Sequence, residues 1–233
     1  MGLSVSGQEI IAFLDSLTCT NGGKHSYFRA LGVFYNWLYS QKSGYRLNPQ
    51  DNPMLLVQAP KVEKRILPSV TDQQVERLIG TADNVRDKCM ISMLADSGIR
   101  LSELCGIKRE DINWDTRTVT IIGKGNKQRR APFTQRTDTF LRAYLADNHS
   151  VGPIWGINQE GVHKVLRTLW LTTGIKCNPH SFRRGFACNL HRKGLSTLDI
   201  MHLGGWNDLS MVLRYTRSIT FDDCLKHYRA VLD

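Results

Sequence analysis

Residues 89–125, CMISMLADSGIRLSELCGIKREDINWDTRTVTIIGKG, pass from a helical to a strand pattern within 37 positions. Cys89, Met90, Ile91, Met93 and Leu94 make the first part apolar nearly all round, which predicts a buried, central helix from about Asn84 to Asp96. Ser97-Gly98 stops it, and a short helix, Leu101–Cys105, follows at once. The pattern then changes period. Asp111–Trp114 and Arg117–Ile122 surround the turn Asp115-Thr116, and Arg129–Phe133 comes after 123–127. Val119, Ile121 and the threonines alternate or branch as strand residues do. Three short strands predict a small antiparallel sheet with Gly123-Lys124-Gly125-Asn126 at a hairpin tip. The fold class is therefore mainly α with a small three-stranded antiparallel sheet.

The flanking segments are helical. Thr71 and Gln74 form a capping box, and Val70 can pack on Val75, so a helix begins at about Asp72 and runs to Ile79. Val162, Val165, Leu166, Leu169 and Trp170 make one helical stripe. Phe182, Phe186 and Leu190 make another, ended by Gly194, and Ser196 with Asp199 caps a third. Ile219–Asp233 repeats the pattern through Phe221, Cys224, Leu225, Tyr228 and Val231. Near the N-terminus, Glu9–Leu17 and Ser26–Tyr39 read as helices, the second with Phe28, Leu31, Tyr35 and Leu38 on one face. Between them and the rest lies Gln41–Lys61, where Pro49, Pro53 and Pro60 break any long helix; Lys61, Lys64 and Arg65 follow. This places a small helical domain over residues 1–60 and a larger one over 61–233. Trp114 and Trp170 are expected in the core.

The chain of 233 residues carries a formal net charge of +10, with 41% hydrophobic and 22% charged residues. That balance supports a real core, and the positive surplus suits a polyanionic partner. No run reaches the roughly 18 apolar residues of a membrane span, and the N-terminus does not read as a signal peptide. Six cysteines without a Cys-x-x-Cys pair suit a reducing, intracellular compartment. His163, His191, His202 and His227 have no partners at metal-ligand spacing. Neither a metal nor a cofactor is expected.

Residues suited to a phosphodiester are present. Planar guanidiniums match phosphate oxygens with paired hydrogen bonds. Arg100 follows the Ser97-Gly98 break, and His180 and Arg183, three apart, share one helical face. Lys124 sits on a glycine-flanked hairpin tip. Trp206 and Tyr215 bracket a short helix that Asn207 or Asp208 could cap. Each feature alone is common on ordinary surfaces; their order and spacing give them weight.

In that order they resemble the tyrosine recombinases and phage integrases, the Xer group above all. Ser97-Gly98-Ile99-Arg100-Leu101-Ser102-Glu103-Leu104 is similar to that family's first arginine box, and Ile122-Gly123-Lys124-Gly125-Asn126-Lys127-Gln128-Arg129 to its hairpin lysine motif. His180-Ser181-Phe182-Arg183 resembles the His-x-x-Arg box. Leu203-Gly204-Gly205-Trp206-Asn207-Asp208-Leu209-Ser210 with Tyr215 resembles the final box. The separations agree too: 24 residues from Arg100 to Lys124, 35 from His180 to Tyr215 and nine from Trp206 to Tyr215.

The resemblance implies a recombinase catalytic domain preceded by a short helical core-binding domain, acting on double-stranded DNA in the cytoplasm. It implies Tyr215 as the nucleophile that forms a 3′-phosphotyrosine, Arg100 and Arg183 on the non-bridging oxygens, Lys124 as general acid and His180 as acid–base partner. A C-terminal segment exchanged between protomers would build a tetramer on DNA. Glu103 is expected to support Arg100, and Arg129, Arg130, Lys108 and Arg109 to touch backbone phosphates. Two departures stand out. Trp206, after Gly204-Gly205, occupies a position that is histidine in many members, where its indole N–H can still donate. The family's first domain usually has four or more helices, which makes residues 1–60 a short form or one lacking an initial helix. Rival readings are a type IB topoisomerase, which the Xer-like hairpin motif opposes, and a DNA-binding protein that does not cut. An RNA-binding module would need stacking aromatics on the sheet, and the strands offer few.

Overall fold

The computed structural model describes residues 5–62, 67–123, 128–148, 151–216 and 219–232. The chain divides into two compact units, Met1–Arg65 and Ile66–Asp233. Eleven α-helices and three strands are assigned among the described residues.

In the first unit, α1 (Gly7–Ser16) starts with a full capping box between Ser6 and Glu9. Helix α2 (Asn21–Leu38) begins five residues earlier than the Ser26 expected from the sequence. Thr20 is the reason: its side chain accepts from the Gly23 N–H at 3.4 Å and caps a turn that Gly22-Gly23 had disguised as a loop. The stretch after α2 forms three short 3₁₀ turns, two of them started by Asn48 and Asn52 with proline at the first position. Ile10, Leu14, Met54 and Val57 form this unit's core, with Phe28, Leu31 and Tyr35 against it.

The second unit is built round α4 (Val85–Ser97), buried along most of its length by α3 (Asp72–Thr81), α6 (Gln135–Ala146) and α8 (Pro179–Arg192). Helix α3 opens with the Thr71–Gln74 capping box, and Val70 and Val75 are both buried. Helix α4 ends at Gly98, whose φ of +56° is left-handed and whose Cα lies so near Phe186 that an added Cβ would sit 2.8 Å from the ring. A side chain there would meet both strain and a clash. Helix α5 (Leu101–Gly106) follows directly. Trp155 donates to the Leu104 carbonyl at 2.7 Å and stacks on Tyr144.

The sheet has the order β1-β2-β3, all antiparallel: β1 (Ile112–Asn113), β2 (Thr118–Ile122) and β3 (Gln128–Pro132). Val119 faces Ala131, and Ile121 faces Arg129. The first strand is shorter than Asp111–Trp114. Asn113 accepts from the Thr116 N–H at 2.9 Å and Arg117 has a φ of +48°, so 114–117 become the turn. Trp114 lies there half-buried, under the Arg142 guanidinium at 4.4 Å. Trp170 on α7 (Gln159–Thr173) is a correction: it is 38% exposed with Lys176 over its ring, outside the core. It stands one residue past the buried Leu169, on the rim of the apolar stripe.

Helices α9 (Thr197–Gly204), α10 (Leu209–Thr216) and α11 (Phe221–Leu232) complete the unit, and all three pack on α8. Among the described residues no helix is long and apolar enough to cross a membrane.

Candidate active site

Helix α8 carries two of the expected site residues. Its first turn is fixed by Asn178 and Ser181, each side chain accepting the other's backbone N–H at 2.9 Å, with Pro179 at the first position. His180 in that turn is exposed, and Arg183, one turn on, is buried. The Arg183 Nη1 donates to the Gly98 carbonyl, which ties α8 to the corner that leads into Arg100. Gly185 permits the close passage of residues 67–71 beside the same helix: an added Cβ would lie 2.3 Å from the Val70 carbonyl oxygen.

Arg100 is the N-cap residue of α5 and half exposed. Glu103 reaches back to it twice. Its Oε2 accepts the Arg100 backbone N–H at 2.7 Å and its Oε1 accepts Nη1 at 2.8 Å. Burial raises the Glu103 pKa, but the Arg100 hydrogen bonds and the Arg129 charge outweigh it and hold the carboxyl below its usual value. Glu103 is therefore ionised near neutrality and fixes the rotamer of Arg100.

Trp206 links the remaining members. The Arg183 guanidinium lies 4.1 Å from the centre of its ring, and the ring centres of Trp206 and Tyr215 are 5.7 Å apart. The indole is buried, and its Nε1 has no hydrogen-bond partner. Tyr215 is the penultimate residue of α10 and half-buried. Its carbonyl accepts from the Cys188 thiol at 3.0 Å, which pins α10 to α8. Asp208 is the residue that caps α10, accepting from the Ser210 N–H at 2.8 Å. Burial, and then the charges of Arg100 and Arg129, push the Arg183 pKa down to about 10, with Glu103 and Tyr215 opposing. Arg183 stays cationic at neutral pH, in a site that already contains other cations.

Arg100, Arg183, Trp206 and Tyr215 are thus gathered, the first two by the Gly98 corner and the others by ring contacts. A cleft of about 650 Å³ runs between Arg100, Arg129 and Trp206. His180 shares α8 with Arg183. Lys124 lies outside the described residues. Among the described residues no group of three or more His, Cys, Asp or Glu is placed to hold a metal ion.

The glycine pair before Trp206 has a steric cause. The indole folds back over Gly204, where an added Cβ would lie 1.9 Å from Cζ3. Gly204→Ala is expected to lower stability by about 2 kcal/mol through overpacking, and to lower it far less when Trp206 is also changed to His. Thermal melts of the single and double variants check this; equal losses in both backgrounds would show that the indole is not the obstacle.

Two of the arginines expected at backbone phosphates have partners within the chain. Arg109 donates to the Leu145 and Asn148 carbonyls at 2.9 and 2.5 Å, closing the end of α6. Arg129 is not a surface residue, because its side chain is only 18% exposed and pairs with Glu103 at 2.9 Å. Strand alternation carried that signal: Arg129 lies two residues before buried Ala131 and so shares its face.

The sequence matches the model of the phage integrase family over residues 68–220. It is 27% identical to tyrosine recombinase XerA of Pyrococcus horikoshii over all of this chain and 81% of that protein. Against XerA of Pyrococcus furiosus it is 33% identical over 68% of this chain and 60% of the relative. Among solved structures, XerH bound to a palindromic difH substrate in a post-cleavage complex superposes with a TM-score of 0.78 at 17% identity, over 97% of this chain and 72% of that one. That likeness concerns the fold, whereas the family match runs from Pro68, two residues before the buried Val70, through the whole set of boxes. On that match, the chain belongs to the phage integrase family of tyrosine recombinases.

Proposed function

We propose that the protein is a site-specific recombinase that cleaves and rejoins double-stranded DNA through a 3′-phosphotyrosine at Tyr215. The observation that carries this reading is the packing of Arg183, Trp206 and Tyr215 in one file beside the Glu103-fixed Arg100. A free phenol titrates near 10 and attacks poorly at neutral pH without cations or a base nearby. Arg100 and Arg183 hold the non-bridging oxygens and stabilise charge as it develops on them. The Tyr215 oxygen attacks phosphorus and the 5′-oxygen leaves with a proton. Lys124 supplies that proton and His180 takes the one released by the phenol. Trp206 sets the spacing between Arg183 and the nucleophile's helix. Rejoining is the reverse, so the bond energy is kept in the protein–DNA link.

Assembly follows the same reading. Phe221 and Tyr228 on α11 are 78% and 64% exposed, apolar surface that a second protomer can cover. Exchange of α11 would build the tetramer on DNA.

The test is capture of the intermediate. Wild-type protein incubated with a library of randomised duplexes, each carrying a nick, is expected to yield denaturant-resistant adducts whose nucleotide-bearing peptide maps to Tyr215. Binding without any adduct would favour the non-cutting reading, and an adduct on another residue would remove Tyr215 from its role.

A further inference from the structure

Arg129 has no part in the chemistry above, yet it lies inside the same cluster. Its Nη2 donates to Glu103 Oε2 at 2.9 Å, the oxygen that also accepts the Arg100 backbone N–H. Its Nε and Nη1 are buried and have no hydrogen-bond partner. The guanidinium fits only because Gly205, left-handed at φ +64°, has no side chain: an added Cβ would lie 2.5 Å from Arg129 Cδ and Nε. Burying an incompletely paired charge is expensive and calls for a reason.

The reason lies in Glu103. A carboxylate that fixes Arg100 is also an anion competing with any phosphate for that guanidinium. We propose that Arg129 is a positioning residue for DNA cleavage: it neutralises Glu103, so the carboxylate can orient Arg100 without cancelling the charge Arg100 presents to the scissile phosphate. This rests on the recombinase reading. Three guanidiniums, Arg100, Arg129 and Arg183, surround one carboxylate and leave a net charge of two positives. A phosphodiester with one negative charge, attacked by a phenolate, passes through a transition state with two. Without Arg129 this cluster sets one positive charge fewer against that transition state, whatever Lys124 contributes before it gives up its proton. The downward pull of both Arg100 and Arg129 on the Arg183 pKa places all three cations within electrostatic reach of one another.

The test is a double-mutant cycle on the rate of adduct formation at saturating DNA, using a nicked duplex that the wild-type chain cleaves. Wild-type cleavage is the control: its absence would sink the recombinase reading, whereas the cycle addresses Arg129 alone. Arg129→Gln is expected to slow adduct formation roughly thirtyfold, with DNA affinity changed less than about threefold. In a Glu103→Gln background, where there is no carboxylate to neutralise, the same change is expected to alter the rate by less than about threefold. An undiminished rate in Arg129→Gln overturns the proposal. So does an equal loss in both backgrounds, which would mark a structural role or a direct phosphate contact. Should Arg129→Gln not fold, Arg129→Lys decides the matter: the retained charge is expected to keep cleavage within about fivefold of wild type, and a thirtyfold loss overturns the charge account.

Discussion

Tyr215→Phe is expected to bind duplex DNA as the wild-type chain does and to form no covalent adduct at any time of incubation. One oxygen is removed, and in the proposed reaction it is the attacking atom. The fold has little stake in it. The ring is held by Trp206 and by the packing of α10 on α8, and among the described residues the hydroxyl makes no hydrogen bond. Removing a phenolic oxygen without a partner changes stability by less than about 1 kcal/mol, so a melting curve close to wild type will separate lost chemistry from lost structure. Adducts persisting in this variant would mean that another side chain attacks.

Arg183→Ala has the next largest effect, and here chemistry and structure are joined. The side chain is buried, donates to the Gly98 carbonyl and lies over the Trp206 ring. On the proposed mechanism its loss takes away one of two grips on the phosphate, which typically slows such a step on the order of a hundred- to a thousandfold. It also leaves a buried carbonyl without its donor and an unfilled space beside the indole, together a loss of about 2–3 kcal/mol. Nonspecific DNA affinity should fall far less, because it is spread over many phosphate contacts. Rates at saturating DNA and salt-dependent affinities measured on the same preparation will show the split. Equal losses in both would assign Arg183 to folding rather than to the phosphate.

Helix starts and the central helix were legible because their causes are local. Thr71 and Gln74 cap α3 within four residues, and the apolar run from Cys89 to Leu94 can only be a helix wrapped on all sides. The mainly α fold with its three-stranded sheet followed from such signals. The start of α2 did not, since Gly22-Gly23 lowers helix propensity and the Thr20 cap that overrides it is a weak mark. The boxes named Arg100, Arg183, Trp206 and Tyr215 one at a time. What sequence could not supply was which side chain rests on which. That Trp206 lies between Arg183 and Tyr215, that Gly204 is bare because the indole covers it, and that Arg129 turns inward onto Glu103 are consequences of tertiary packing. The inward turn of Arg129 was legible only in its place on the strand, two residues before buried Ala131.

The Arg183 bond to the Gly98 carbonyl has a mechanical consequence. Helices α4 and α8 pack directly on each other, Arg100 leaves the end of the first, and Arg183 projects from the second. On the proposed mechanism the two phosphate-gripping groups thus leave neighbouring points of one packed helix pair, like the jaws of a gauge. Any control that turns strand exchange on or off has little purchase on that gauge. If Tyr215 attacks as proposed, the natural points of leverage are α10, a single short helix that carries it, and α11 beyond it.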